Sequence, residues 1–575
     1  MYCKAGVFAC AILVCACQKQ EAGPPPRYAI VRFENLSGDP SLEWMGRAAS
    51  ESLAVSLAGA MDGPVLHPSA LGRLAPVLGG RPANAPGISV ERQRALLASA
   101  TRLISGYFER SGSQVRIVAS EEDLSNGKTL RILTATDPSG TGAINRLAQQ
   151  FSAKAGPGPT ANPAAMRLYA VSLESPIPDG IDDLEHATQM DPTFGDAWVA
   201  LAGLEAAGGN RAAAAETIDR AERQKLDPFS RARLALESAD LQPDQAARAG
   251  ALRNLVAVSP GDIVLLRNLA ETETAAGQFG IAAADWRKLS VLLPADSATW
   301  NSLGYALSFA GDYNNARAAL EESARLRPRD ANTQDSLGDL DYSFRKFSEA
   351  SASYLKAHDL QPDFERYGDL YKAAWAKFHA GDKPGADKLY NQFREQREKI
   401  GDTLIPLMTA DWLYRTGRKR EAFDSLRKAI AGTQSPNLRA NAYAQLTIWE
   451  LLERNRAQAA QDSLAIGPKL SDAPMLIARF AAFPSASAAE WQARAEQMIP
   501  PSMAGLRPLA LGYALVLDGK REAALPVWAQ IVQGAPGTDF FARAIYTRLQ
   551  GKTIERPLFP DPTNFNEFGA VLDTL

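Results

Sequence analysis

Apolar and small residues recur at helical spacing over most of this chain of 575 residues, and in its middle third the recurrence itself repeats. Trp300, Leu303 and Gly304 start one helical face, and Gly311, Tyr313, Ala316, Leu320, Ala324 and Pro328 follow it. About 34 residues on, Leu337, Gly338, Phe347, Ala350, Tyr354, Ala357 and Pro362 take the corresponding places. Each stretch reads as two antiparallel helices. Small residues (Gly304 with Ala316, Gly338 with Ala350) let the pair cross closely, while Leu303, Leu320, Leu337 and Tyr354 fill the seam. Gly311 makes the turn, and Pro328 or Pro362 stops the second helix. One pair cannot cover both of its apolar faces, so neighbours must stack. Looser versions run through Trp198–Ala221, Leu269–Pro294, Gly381–Tyr390, Gly417–Ala429, a degenerate stretch at 455–464, and Leu511–Pro536. With weaker pairs at 164–192, 228–260 and 472–500, the pattern predicts about ten units over residues 164–550.

Ahead of this region the period changes. Residues 28–33 read as a strand, 42–57 as a helix, 65–66 as a short strand, 71–88 as a Gly/Pro-rich loop and 90–100 as a second helix. Three strands follow at 102–109, 114–120 and 129–135, joined at Ser111-Gly112 and Asn126-Gly127, the second in the manner of a type I′ turn. A helix over 140–153 completes a β-α-β-α-β-β-β-α order, and 156–163 reads as a linker. The expected fold class is mainly α, an α-solenoid preceded by a small α/β domain.

The period and pattern of residues 164–550 resemble the tetratricopeptide repeat. That resemblance implies a right-handed solenoid whose concave groove takes segments of protein partners. On the repeat's register, Arg267, Glu271, Asn301, Tyr305, Asp335, Asp339 and Tyr342 project into the groove. The family's clamp for chaperone tails uses basic residues where Asp335 and Asp339 stand here, so capture of a terminal carboxylate is not expected. Residues 28–155 resemble the TolB-like amino-terminal domain, through Ala29-Ile-Val-Arg-Phe-Glu-Asn-Leu-Ser-Gly-Asp-Pro40 and Leu103-Ile-Ser-Gly-Tyr107. That family implies partner or envelope binding and supplies no catalytic residue.

All four cysteines, Cys3, Cys10, Cys15 and Cys17, precede residue 18. Lys4 and the apolar run 5–14 make a short secretory signal, too short to span a bilayer. Val14-Cys15-Ala16-Cys17 resembles a bacterial lipobox. The resemblance implies removal of residues 1–16, lipid on Cys17 and a spacer over 17–27, with Gln18 favouring the periplasmic face of the outer membrane. The mature chain then carries no free thiol, which suits an oxidising envelope.

Charge adds little: 62 basic residues against 65 acidic ones, interspersed, offer no field for nucleic acid. Gly127-Lys128-Thr129 lacks the earlier glycine of a phosphate loop, and Ser125-Asn-Gly-Lys128 lacks the helix start of a penicillin-binding nucleophile. Both read as hairpin residues. His67, His186, His358 and His379 are scattered without neighbouring metal ligands. Trp198, Trp286, Trp300 and Trp528 fall on packing positions. Neither cofactor nor metal is expected. The sequence therefore points to a lipid-anchored, non-enzymatic scaffold for a protein or peptide. The alternatives are an envelope regulator that activates or assembles a cell-wall enzyme or secretion complex, and, remotely, an enzyme within 28–155. The apolar content of 551–575 (Leu558, Phe559, Phe565, Phe568) suggests a strap lying on the solenoid.

Overall fold

The computed structural model describes residues 25–68, 89–467, 470, 472–485, 487–554 and 568–575. The signal 1–16, Cys17, most of the spacer, the loop expected over 71–88 and much of the tail lie outside the described residues. The chain forms two compact units, one of residues up to 242 together with 254–264, the other of 243–253 together with 265–575.

In the first unit, the alternating segments form β1 (Tyr28–Ile30), β2 (Glu34–Asn35), β3 (Val65–Leu66), β4 (Arg102–Ser111), β5 (Gln114–Asp123) and β6 (Lys128–Asp137). They build one sheet in the order β3-β1-β4-β5-β6, with β2 also on β4. β1 lies parallel to β3 and β4, while β4, β5 and β6 are antiparallel. Helices α1 (Trp44–Leu57) and α3 (Gly140–Phe151) cover one face through Leu53, Leu57, Ile144 and Leu147. α2 (Ser89–Leu97) and the turn after it cover part of the other, through Ala95, Ala98, Val31 and Leu103. The element order is the expected one with one addition, the two-residue strand β2 before α1. The second hairpin differs from a type I′ turn, because four residues, Leu124 to Gly127, separate the strands. Asp123 Oδ1 accepts from the Ser125 amide and hydroxyl and holds the loop in this wider form.

The core of the α/β region does not stop at residue 155. The outer face of α1 packs on α4 (Pro163–Ser172), and the same cluster runs through Met166, Tyr169, Leu184, Phe194 and Trp198. It thereby takes in α5 (Ile177–Met190), α6 (Gly195–Ala207), α7 (Arg211–Glu222) and α8 (Pro228–Asp240). The Gly156 amide donates to the Ser56 carbonyl at 2.8 Å, so the expected linker is fastened down. A buried polar cluster ties these elements together. Arg233 of α8 pairs with Asp196 of α6, and His67 Nε2 lies 3.5 Å from the same carboxylate. Burial pushes Asp196 up, but the hydrogen bond from His67 and the charge of Arg233 outweigh it and hold the carboxyl at about 2.

After α9 (Gln245–Val258) the second unit is built from helical pairs. They are α10 (Ile263–Ala275) with α11 (Phe279–Leu292), α12 (Ser297–Ala310) with α13 (Tyr313–Leu326), and α14 (Ala331–Ser343) with α15 (Phe347–Leu360). Next come α16 (Gly368–His379) with α17 (Lys383–Lys399), α18 (Ile405–Arg415) with α19 (Lys419–Gly432), and α20 (Pro436–Leu452) with α21 (Arg456–Ala465). α22 (Ala473–Ala481), α23 (Ala488–Met498), α24 (Arg507–Leu517), α25 (Arg521–Gly534), α26 (Phe540–Leu549) and α27 (Gly569–Thr574) finish the chain. The small residues sit where close crossing needs them: a Cβ on Gly304 would lie 2.5 Å from Leu320, and one on Gly338 2.5 Å from Tyr354. Gly311 turns with φ +92°, yet at the equivalent turn of the next unit the left-handed residue is Arg345 (φ +59°).

Within this second unit the array returns on itself. The Gly537 amide, in the loop before α26, donates to the Ala275 carbonyl at the end of α10 at 2.7 Å. The Phe540 ring lies 4.9 Å from that of Phe309 and 6.1 Å from that of Phe279, between centroids. No helix among the described residues is long and apolar enough to cross a membrane.

Candidate partner-binding face

The sequence places a groove along the first helices of successive pairs in the second unit. Its first part is filled by the chain's own side chains. Lys372 of α16 is 2% exposed and donates to both Asp335 oxygens, at 2.7 and 2.9 Å, and to Asp339 Oδ1 at 3.2 Å. Tyr354 donates to Asp339 Oδ1 at 2.8 Å and Tyr305 to Asp339 Oδ2 at 2.8 Å. Three helical pairs are thereby joined around one ammonium group.

One turn earlier on α16, Asp369 is also buried. Burial, with the negative charge of Asp335 beside it, pushes its carboxyl up to about 9. An unfolded chain loses that proton near pH 4, so between pH 4 and 9 the folded chain holds a proton that the unfolded one has lost. Stability therefore falls as pH rises through this window. Asp369→Asn removes the slope. We expect the variant to gain at least about 1 kcal/mol over the parent at pH 8 and much less at pH 5. Urea midpoints at the two pH values check this, and a gain no larger at pH 8 contradicts it.

The seven expected groove residues thus separate. Tyr305, Asp335 and Asp339 come together, but as a sealed network: Asp335 and Asp339 are each 4% exposed, and they are not the open wall expected of them. The reason is that the long side chains of Tyr305, Tyr354 and Lys372 reach across from neighbouring helices to the two carboxylates. Tyr342 is buried too, edge-on to Phe347 and to His379 at 5.4 and 5.9 Å. Arg267 turns aside to Asp296 (3.0 Å). Asn301 is half-buried with its side-chain oxygen unpartnered, and Glu271 is exposed.

Further along, these helices hold a piece of the chain itself. α27 packs on α18, α20 and α26. Phe568, just before it, stacks on Tyr513 of α24 with centroids 4.0 Å apart. Ala570 and Val571 are buried, and Asp573 accepts from Arg415 Nε at 2.7 Å. The Arg415 guanidinium lies 4.6 Å above the Trp375 ring, with Asp411 at 3.7 Å. His379 stacks on Trp375, and burial, together with the Arg415 charge, lowers its pKa. Sequence reasoning did not single out Lys372, Trp375, Arg415 or Tyr513. Phe568 alone carried a signal, as apolar content in the tail.

A tetratricopeptide repeat profile matches residues 297–330, the span of α12 and α13. None of the curated proteins matches the chain. Among solved structures, the chain is similar to the crystal structure of MamA protein, at 20% identity over 30% of this chain and 94% of that one, with a TM-score of 0.27. It is similar to a thermophilic TPR protein from Thermus thermophilus, at 16% identity over 37% and 100% of the two chains, with a TM-score of 0.21. A tetratricopeptide repeat protein from Parabacteroides merdae is 12% identical over 48% and 96%, with a TM-score of 0.30.

Proposed function

We propose that this tetratricopeptide-like array, preceded by a small mixed sheet, is a non-enzymatic scaffold, held by lipid on Cys17 at the periplasmic face of the outer membrane, that binds a protein through the inner face of its second unit. The observation that carries the reading is the seating of residues 568–575. A short segment is held there by an aromatic stack, two buried small apolar residues and an ion pair, the way helical peptides are gripped in grooves. Tetratricopeptide-like arrays bind proteins, and the likeness of residues 28–155 to TolB-like domains, with the lipobox, supports an envelope setting.

Two measurements test this. Cells fed a palmitate analogue should label the chain, and Cys17→Ser should abolish the label while Cys15→Ser keeps it; label surviving on the Cys17 variant overturns the anchor. Affinity capture from detergent-solubilised envelope should return one protein in near-stoichiometric yield. Arg415→Ala should reduce that yield several-fold while the far-ultraviolet circular dichroism stays helical. Unchanged capture removes the inner face as the site.

A further inference from the structure

The way α27 is held says what the face is built to hold. Six residues are too few for a helix to persist alone, so the seat, not the segment, stabilises this one. Three contacts define the seat. Phe568 lies flat on Tyr513. Gly569 lies against Arg415 so closely that a Cβ would sit 2.8 Å from the guanidinium, which lets the arginine lie along the segment's backbone. Asp573, five residues after the phenylalanine, meets Arg415 at the rim, where its side chain is 46% exposed. Arg415 also lies over Trp375 and near Asp411, groups that hold the guanidinium from the side away from the segment. Charge and shape together specify a guest with an aromatic group at one end, small residues in the middle and an acid at the other.

We infer that this face binds a partner protein's short helix bearing an aromatic residue and, five positions on, a carboxylate, and that residues 568–575 are a tethered competitor for the same seat. The inference rests on the scaffold reading above and adds the chemistry of the partner and its regulation. A segment of the same chain competes without having to be recruited from solution, so a free partner helix must displace it or bind when it is released.

The probe is a synthetic peptide with the sequence of residues 568–575, labelled at its amino end and followed by fluorescence anisotropy. The full-length Phe568→Ala/Asp573→Ala variant, whose own tail is weakened, should bind it at least ten-fold more tightly than the unaltered chain does. A peptide carrying Asp573→Asn should bind that variant about five-fold more weakly, because it lacks the charge that meets Arg415. A chain ending at residue 554 serves as a second host should the double variant misfold. Equal affinity for the unaltered and tail-weakened chains overturns the inference, as does failure to bind either altered host while each remains helical. So does an unaltered chain that sediments as a dimer and a tail-weakened one that does not, since the seat would then belong to a second copy. Partner capture that persists through any of these failures leaves the scaffold reading standing.

Discussion

Lys372→Met is expected to cost the second unit about 3–5 kcal/mol, the penalty of stripping a buried ion pair of one partner. The ammonium group bonds to both Asp335 and Asp339, and the three side chains are all buried. Methionine fills a similar volume, so the loss reports charge and not a cavity. Two further results separate this from generic damage. With the cation gone, the two carboxyls favour their protonated forms in the folded chain, so the deficit should shrink as pH falls toward 4. Lys372→Met combined with Asp335→Asn and Asp339→Asn should recover much of the stability, because the amides need no counter-charge. Urea unfolding of the three proteins at pH 4.5 and 7.5 decides it. A deficit independent of pH, or a triple variant as weak as the single one, contradicts the account.

Gly106→Ala should destabilise the first unit by about 3 kcal/mol, at the upper end for an overpacked core. Glycine in a strand interior is ordinarily a weak choice. Here it is required: on β4, opposite Ala119 of β5, a Cβ would overlap the Val118 carbonyl oxygen and come within 2.5 Å of the Phe33 ring. Phe33 is fully buried, and its amide bonds to the Gly46 carbonyl at 3.1 Å, so the ring has nowhere to retreat. The chain's Ser-Gly-Tyr in this strand thus has a steric cause, an aromatic ring laid over the backbone where one residue has no side chain. Thermal unfolding followed by near-ultraviolet circular dichroism checks the effect, and a midpoint unchanged within a degree refutes it.

What one dimension shows and hides can be read from these residues. The stride of about 34 was legible because each unit repeats the same local needs: Gly304 under Leu320, Gly338 under Tyr354, a left-handed turn after the first helix. The sheet was legible because alternation and turn residues are local signals. Lys372 was not, since a lysine in Asp-Leu-Tyr-Lys-Ala-Ala-Trp reads as a solvated helix residue, and Asp335 and Asp339 read as acids lining a groove. Only the stacking of successive pairs, absent from any single helix, brings residues 37 apart in number into contact. The same holds for His67 beside Asp196 and Arg233, which come from a strand end and two distant helices. Arg345 hid its turn by standing where a glycine is the usual sign. α27 is too short for periodicity to register, and its seat is assembled from helices that lie far apart in the chain, such as α18 and α24.

The bond from Gly537 to Ala275 bears on how this protein can change its length. An open stack accepts one more module, or loses one, with a penalty confined to the two edges affected. A stack in which residue 537 is bonded back to residue 275 ties together two places that many helices separate in the chain. Deleting a single module from the middle would pull the latch out of register and strand Phe279, Phe309 and Phe540 in water together. A change in the number of helical pairs between residues 275 and 537 is therefore expected to break this bond and part the three rings.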